Sequence, residues 1–377
     1  MFFKDVIGHK DIKLKLIDGV KKNRISHAQL FLGAEGSGNF QLALAYAQYI
    51  NCDNSDASDS CGKCPSCIKY QNKQHPDLHF FYPTAVGNAV KDKPSSRKFI
   101  KPWTEFINQK TYFTLNDWMN HIGAGEKLSN LNITDSQDII KIMSLKNFEA
   151  KFKVIIIWWP ENMNIECSNK LLKILEEPNP KSIFLLIGHN IDQLLTTVIS
   201  RVQIVKTRRL NDHEIIQELI KKESIPENLA RYIAMNANGN FSKALELVNT
   251  PENDEQFIDI FQKWMRICYA ADFLKIEKWV AEIDKLGRIA QKNFLEYGLR
   301  ILRECVVYNY ANPEINRLNS KEEIFNANFA KFIHGGNILE IVDIFEHTHT
   351  AIWRNANGKI AFMNLSLTIC NLLKSKP

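Results

Sequence analysis

The chain has 377 residues, 45% hydrophobic and 24% charged, a length for two or three domains and a composition that excludes disordered and fibrous classes. Lys and Arg number 48 against 42 Asp and Glu, a formal net charge of +6, which permits a role near nucleic acid without the strongly basic balance of a dedicated binder. No charged-then-apolar leader and no run of about 18 apolar residues is present, so a cytoplasmic location and no membrane partner are expected.

Residues 1 to 30 read as a helix carrying Ile12, Leu14, Leu16, Ile17 and Val20, then a strand through His27-Ala-Gln-Leu-Phe-Leu. The strand enters a glycine loop, Phe31 to Phe40, and a helix follows from about Phe40 to Ile50. Strand, glycine turn and helix is the context of the phosphate-binding pattern G-x-x-x-x-G-K-[ST], in which backbone N–H groups cradle phosphate, lysine neutralises it and a hydroxyl holds magnesium. Gly33, Gly36 and Gly38 keep the glycine character, but Asn39 stands at the lysine and Phe40 at the hydroxyl. An amide carries no charge and a phenyl ring offers magnesium no oxygen. The stretch reads as a nucleotide-hydrolase scaffold without its chemistry, and neither ATP nor magnesium is expected in it.

Next comes Cys52-x8-Cys61-x2-Cys64-x2-Cys67. Short turns let successive thiolates converge on one tetrahedral ion, and four sulfurs leave no open position for water, so one structural zinc is expected. Cys167, Cys268, Cys305 and Cys370 lie in apolar helical surroundings and read as core residues. From about 84 to 132, Lys91, Lys93, Arg97, Lys98 and Lys101 alternate with Phe99, Trp103, Phe106, Tyr112, Phe113 and Trp118. Such interleaving could grip a nucleic-acid strand; the preferred reading is a surface insertion with small helices, solvated charges and a satellite aromatic core.

Periodicity returns at Asp135, where Thr134 or Ser136 is expected to cap a helix bearing Ile139, Ile140, Ile142 and Met143. Lys153 to Met163 opens with a β-branched run suited to a strand buried on both faces. Where a working hydrolase ends this strand in acidic residues that hold magnesium, Trp158 and Trp159 stand here, with Glu161 beyond a proline. Asn169 to Pro178 reads as a helix with Leu171, Leu172 and Leu175 on one face, Ser182 to Gly188 as a further buried strand, and Val198 to Val202 as a helix end. The rhythm predicts a parallel, doubly wound α/β sheet.

The motifs His27-Ala-Gln-Leu-Phe, the four-cysteine module behind the loop helix, Asn169-x-Leu-Leu-Lys-x-Leu-Glu-Glu-Pro178 and Ser200-Arg201 resemble the clamp-loader branch of the AAA+ ATPases in bacterial DNA polymerase III. The family continues Ser-Arg with Cys; Val202 departs from it and leaves the arginine in place. The resemblance implies an AAA+ P-loop domain over 1–207, with the zinc module at 52–67 and the insertion at about 84–132. It further implies a three-helix lid over 208–250, in which Asn211 caps the first helix and Lys243 takes the second-sensor position in a vestigial or structural role. An all-α collar for oligomerisation would cover 251–377.

The implied function is that of a non-catalytic clamp-loader subunit acting as a stator. Arg201, with Ser200, would complete the ATP site of a neighbour, because an arginine supplied in trans stabilises charge developing on the transferred phosphate. Taken alone, Arg201 reads as an arginine paired at the end of its helix. The implied partners are ATP-competent subunits of the gamma/tau type, the delta subunit and, through the complex, the sliding clamp and primed DNA. Two other readings are a nucleotide enzyme still active through Gly33 to Gly38, and a zinc-dependent DNA reader. Asn39, Phe40, Trp158 and Trp159 oppose the first, and the acidic flanks Asp53, Asp56 and Asp59 oppose the second.

Overall fold

The computed structural model describes the chain except residues 88–89, 91, 126, 250, 311–316, 355 and 376–377, and omits the side chains of 249, 251–255 and 289. Lys91 therefore lies outside the described residues. Two units are present, Met1–Glu246 and Leu247–Pro377.

In the first unit the order is α1 (Lys10–Lys21), β1 (Ala28–Leu32), α2 (Asn39–Ile50), α3 (Pro65–Gln71), β2 (Leu78–Phe81), α4 (Ile100–Gln109), α5 (Leu115–His121) and α6 (Ile133–Ser144). Then come β3 (Lys153–Trp158), α7 (Ile165–Glu176), β4 (Ser182–Gly188), α8 (Thr196–Ile199), β5 (Gln203–Lys206), α9 (Asp212–Glu223), α10 (Glu227–Ala237) and α11 (Phe241–Asn249). The five strands form one sheet in the order β2-β3-β4-β1-β5, and every pairing is parallel. Because successive side chains of a strand point to opposite faces, Val154, Ile156, Trp158, Ile183, Leu185, Ile187 and Phe31 enter one core. Ile155, Ile157, Phe184, Leu186, Ala28 and Leu30 enter the other. The sheet is thus buried on both faces, as the β-branched run of β3 requires.

β1 lies between β4 and β5, so the glycine loop leaves the sheet beside the carboxyl ends of its neighbours, where parallel α/β sheets place their ligand crevices. In register, Phe31 faces Ile187, and Ile187 faces Trp158. Trp158 is therefore separated from the strand that enters the loop by β4 alone.

Three details differ from the sequence expectation. The cap of α6 is neither Thr134 nor Ser136 but Asn132, whose side chain accepts from Thr134 N while Asp135 reaches back to the Asn132 N–H. Strands β2 and β5 have four residues each and carry polar or half-exposed positions, so neither offers a clear alternation to read. The insertion does build small helices, but its aromatics form no satellite core. Phe99, Trp103, Phe106, Phe113 and Trp118 belong to the same buried cluster as β3, β4 and α2.

The second unit is helical: α12 (Pro251–Ala270), α13 (Phe273–Asp284), α14 (Arg288–Tyr310), α15 (Ser320–Phe329), α16 (Ile338–Trp353) and α17 (Gly358–Leu372). Its core is centred on Trp264 and Trp279, stacked at 4.6 Å with an interplanar angle of 4°, and the Trp264 indole N–H donates to Ser366 Oγ at 2.9 Å. Cys268, Cys305 and Cys370 are buried here and Cys167 is buried against the sheet. Among the described residues no helix is long and apolar enough to cross a membrane.

Trp103 is 1% exposed and stacks on Tyr82 at 3.9 Å, so Trp103→Ala is expected to destabilise the sheet unit by about 3–5 kcal/mol. The urea midpoint of its far-UV signal reads this; a satellite core would leave that midpoint in place.

Candidate functional site: a filled phosphate loop

The glycine loop keeps the backbone of its type. Gly38 is the residue before α2 and has φ 95°. Gly36 has φ +70°, and a Cβ there would sit 1.8 Å from Asn240 Oδ1, so both positions need glycine. What differs is the direction of the side chains. Asn39 turns back into the loop: its Nδ2 donates to Gly33 O at 3.0 Å, and its Oδ1 accepts from the hydroxyls of Ser37, at 3.0 Å, and Thr207. A lysine here would reach outward with three donors; the amide instead ties the loop to the end of β5.

Phe40 points into aromatic rings. Its centroid lies 5.1 Å from Phe113 and 6.1 Å from Trp103, and the same two rings lie 5.2 and 5.3 Å from Trp158. The two positions that lack magnesium ligands are thus bridged by two side chains of the insertion. The approach is secured by polar ties: Glu35 Oε1 accepts from Leu115 N at 3.0 Å, Gln41 Nε2 donates to Thr111 O, and Ile7 N donates to Tyr112 Oη at 3.2 Å. Tyr112 also meets Phe241 edge-on at 4.9 Å, while Phe241 N donates to Gly36 O at 3.0 Å. Ala34, Gly36, Asn39, Tyr112, Trp158 and His189 line a small, partly open pocket at the loop.

Trp159 lies beyond β3 in the left-handed region, φ 56°, and stacks on His189 at 4.3 Å. Glu161 does not face the loop. Its Oε1 accepts from the backbone N–H groups of His189 and Asn190 at the end of β4, and burial raises its carboxyl above the usual range. Burial also pushes His189 down to about 4. Lys243 is exposed near the start of α11, and the side of α11 at the pocket is represented by Ser242.

The four cysteines converge. Their sulfur atoms all lie within 4.8 Å of one another, and Cys61 and Cys67 are 3.9 Å apart, close to the edge of about 3.8 Å for a tetrahedron with metal–sulfur distances near 2.3 Å. Backbone N–H groups point at the sulfurs: Cys61 N to Cys52, Lys63 N and Cys64 N to Cys61, and Cys67 N to Cys64. Those of Lys63 and Cys64 hold the Cys61 thiol down to about 6. The set fits a closed four-sulfur metal site. The module also braces its surroundings, since Asp59 accepts from Phe3 N and Lys4 N, and Asn51 pairs in both directions with the backbone of Phe152 at the entry to β3.

Ser200 and Arg201 follow α8. Arg201 Nη1 donates to Thr197 O at 2.8 Å and Ser200 Oγ at 3.1 Å, and Nη2 to Glu176 Oε1 at 2.5 Å. The arginine is thus paired at its helix end, and it is not part of the loop cluster. Sequence reasoning did not single out Tyr112, Phe113 and Trp103 as loop partners, nor Thr207 and Glu176. Only the density of aromatics in 99–118 pointed toward them, and spacing cannot say which core a ring joins.

A parallel sheet with a glycine loop at its carboxyl edge defines a P-loop-type α/β protein. Residues 8–211 match the family described as "DNA polymerase III, delta subunit", just over half of the chain, and the chain belongs to that family of clamp-loader-type subunits. It is similar to the DNA polymerase III subunit delta' of Bacillus subtilis, 28% identical over 64% of this chain and 58% of that one. It is also similar to subunit tau/gamma of Haemophilus influenzae, 25% identical over 59% of this chain and 27% of that one. The chain thus spans less than two thirds of the length of either relative. A solved gamma subunit-related protein of Thermotoga maritima aligns over 96% of this chain and 100% of its own, at 15% identity and a TM-score of 0.42.

Because His189 is held near 4 against about 6.5 unfolded, the folded state binds fewer protons between these values. Its contribution is present above about 6.5 and lost as pH falls toward 4, roughly 3 kcal/mol in all. Chemical denaturation against pH should show that loss reduced by about this amount in His189→Gln, and equal slopes would remove the assignment.

Proposed function

We propose that this chain is a non-catalytic, delta-prime-type subunit of the DNA polymerase III clamp loader, a stator that supplies a trans arginine finger while the sliding clamp is loaded in DNA replication. The observation that carries the reading is the pair of rings, Phe113 and Trp103, packed against both Phe40 and Trp158. In this reading the rings take the room that a magnesium-bound triphosphate would need. Asn39, bonded back into the loop, supplies no charge for a phosphate, which supports the same reading.

The subunit would therefore act on its neighbours. Arg201, steadied by Ser200, is the residue that would reach the ATP of an adjacent gamma/tau-type subunit and stabilise charge on the transferred phosphate. The reading divides the chain into an AAA+ domain at 1–207, a lid at 208–250 and a collar at 251–377, in which exposed apolar residues such as Leu274, Leu339 and Ile360 serve subunit contact. Cys52, Cys61, Cys64 and Cys67 would hold one structural zinc, which supplies folding energy of about 10–16 kcal/mol in such modules and takes no part in hydrolysis. Gamma/tau-type and delta subunits, the clamp and primed DNA are the proposed partners, and the cytoplasm the proposed location.

ATP binding and turnover of the purified chain, alone and with an ATP-competent gamma/tau-type subunit, test the proposal. The expected result is no binding or turnover alone, stimulation of the partner, and loss of that stimulation in Arg201→Ala by about 10³-fold at the neighbouring site. Turnover by the isolated chain, or an unchanged Arg201→Ala complex, would overturn it. For the metal, elemental analysis should give one zinc per chain, lost in Cys64→Ser together with a lowered melting temperature; a metal-free chain of equal stability would remove the site.

A further inference from the structure

Arg201 is held in a defined place. Two of its nitrogens are engaged on three partners, Thr197 O, Ser200 Oγ and Glu176 Oε1, and its side chain is 26% exposed, against 51% for Glu176. Thr197 and Ser200 belong to the arginine's own turn and hold Nη1. Glu176 comes from a different element and holds Nη2.

The position of Glu176 is itself built. It is the last residue of α7, where a negative charge opposes the helix dipole, so its presence there does not serve the helix. α7 is anchored by the buried Leu171 and Leu175. Its final turn is fixed from β1's entry, where His27 Nε2 donates to Leu175 O at 2.9 Å, one of the carbonyls a helix end leaves without an internal partner. The line runs from His27 through the end of α7 to Glu176, and from its carboxylate to the guanidinium.

We propose that Glu176 is a positioning residue for Arg201: its carboxylate holds the guanidinium ordered, with His27 fixing the helix end that carries it. The inference rests on the finger reading above. An unrestrained arginine loses rotamer freedom when it engages a phosphate, and one already held by a partner loses less. Nη2 carries a second N–H besides the one given to Glu176, so the pair need not break for a first contact with an incoming anion. Exposed pairs of this kind contribute little to stability; the expected effect is on turnover.

The test uses the full chain in a complex with ATP-competent gamma/tau-type subunits, comparing wild type, Arg201→Ala, Glu176→Gln and the double variant. Glu176→Gln should lower kcat for ATP about twofold to fivefold, leave KM unchanged and leave the melting temperature within about a degree. Added to Arg201→Ala, it should do nothing further. If Arg201→Ala depresses turnover and Glu176→Gln does not, or raises it, the positioning role is overturned while the finger stands. An equal loss from Glu176→Gln in both backgrounds also overturns it, because the residue then acts without the arginine. Unchanged turnover in Arg201→Ala removes the finger and this proposal together.

Discussion

The contact on which the rest depends is that of Phe113 and Trp103 with Phe40 and Trp158. It joins the first turn of α2, the end of β3 and the insertion into one packed body. The first turn of α2, at the end of the glycine loop, is thereby a wall of the core. Polar and close contacts nearby tie the same elements together: Asn39 bonds inward, Tyr112 lies along Gly38, and Glu35 receives the N–H of Leu115.

The fold was largely legible because its strongest signals are periodic. The β-branched run of β3 and the apolar run of β4 required burial on both faces, and the sheet provides it. β2 and β5 escaped because four residues with polar positions carry too little pattern. The cap at Asn132 was missed because four capping residue types lie within five positions, and only the reciprocal bond with Asp135 decides among them. The substitutions at 39, 40, 158 and 159 could be read one by one. What fills the space they leave could not, since the tie between residues 40 and 113 is a tertiary fact that local sequence does not encode.

The cysteine module and the Arg201 region show the same rule from two sides. Two-residue spacing encodes convergence of Cys61, Cys64 and Cys67 locally, and the sulfurs are together. The pairing of Arg201 with Glu176 spans 25 positions and rests on how α7 and α8 pack, so the Ser-Arg motif alone gave the residue and not its holder. The His27 side chain, read at first only as part of a motif, has a physical task at the end of α7.

The ring cluster beside the loop also bears on how such a chain can change over generations. Recovering a lysine at 39, a hydroxyl at 40 and carboxylates at 158 and 159 would require steps that each unmake part of one buried ring cluster. A first step such as loss of the Phe113 ring leaves a cavity costing about 3–5 kcal/mol, a large share of the 5–15 kcal/mol by which domains are folded, with no phosphate yet bound in return. Descent through single substitutions is therefore steeply biased in one direction. On the function proposed above, the aromatic packing would act as a ratchet that keeps a lineage without ATP chemistry once it had entered that state.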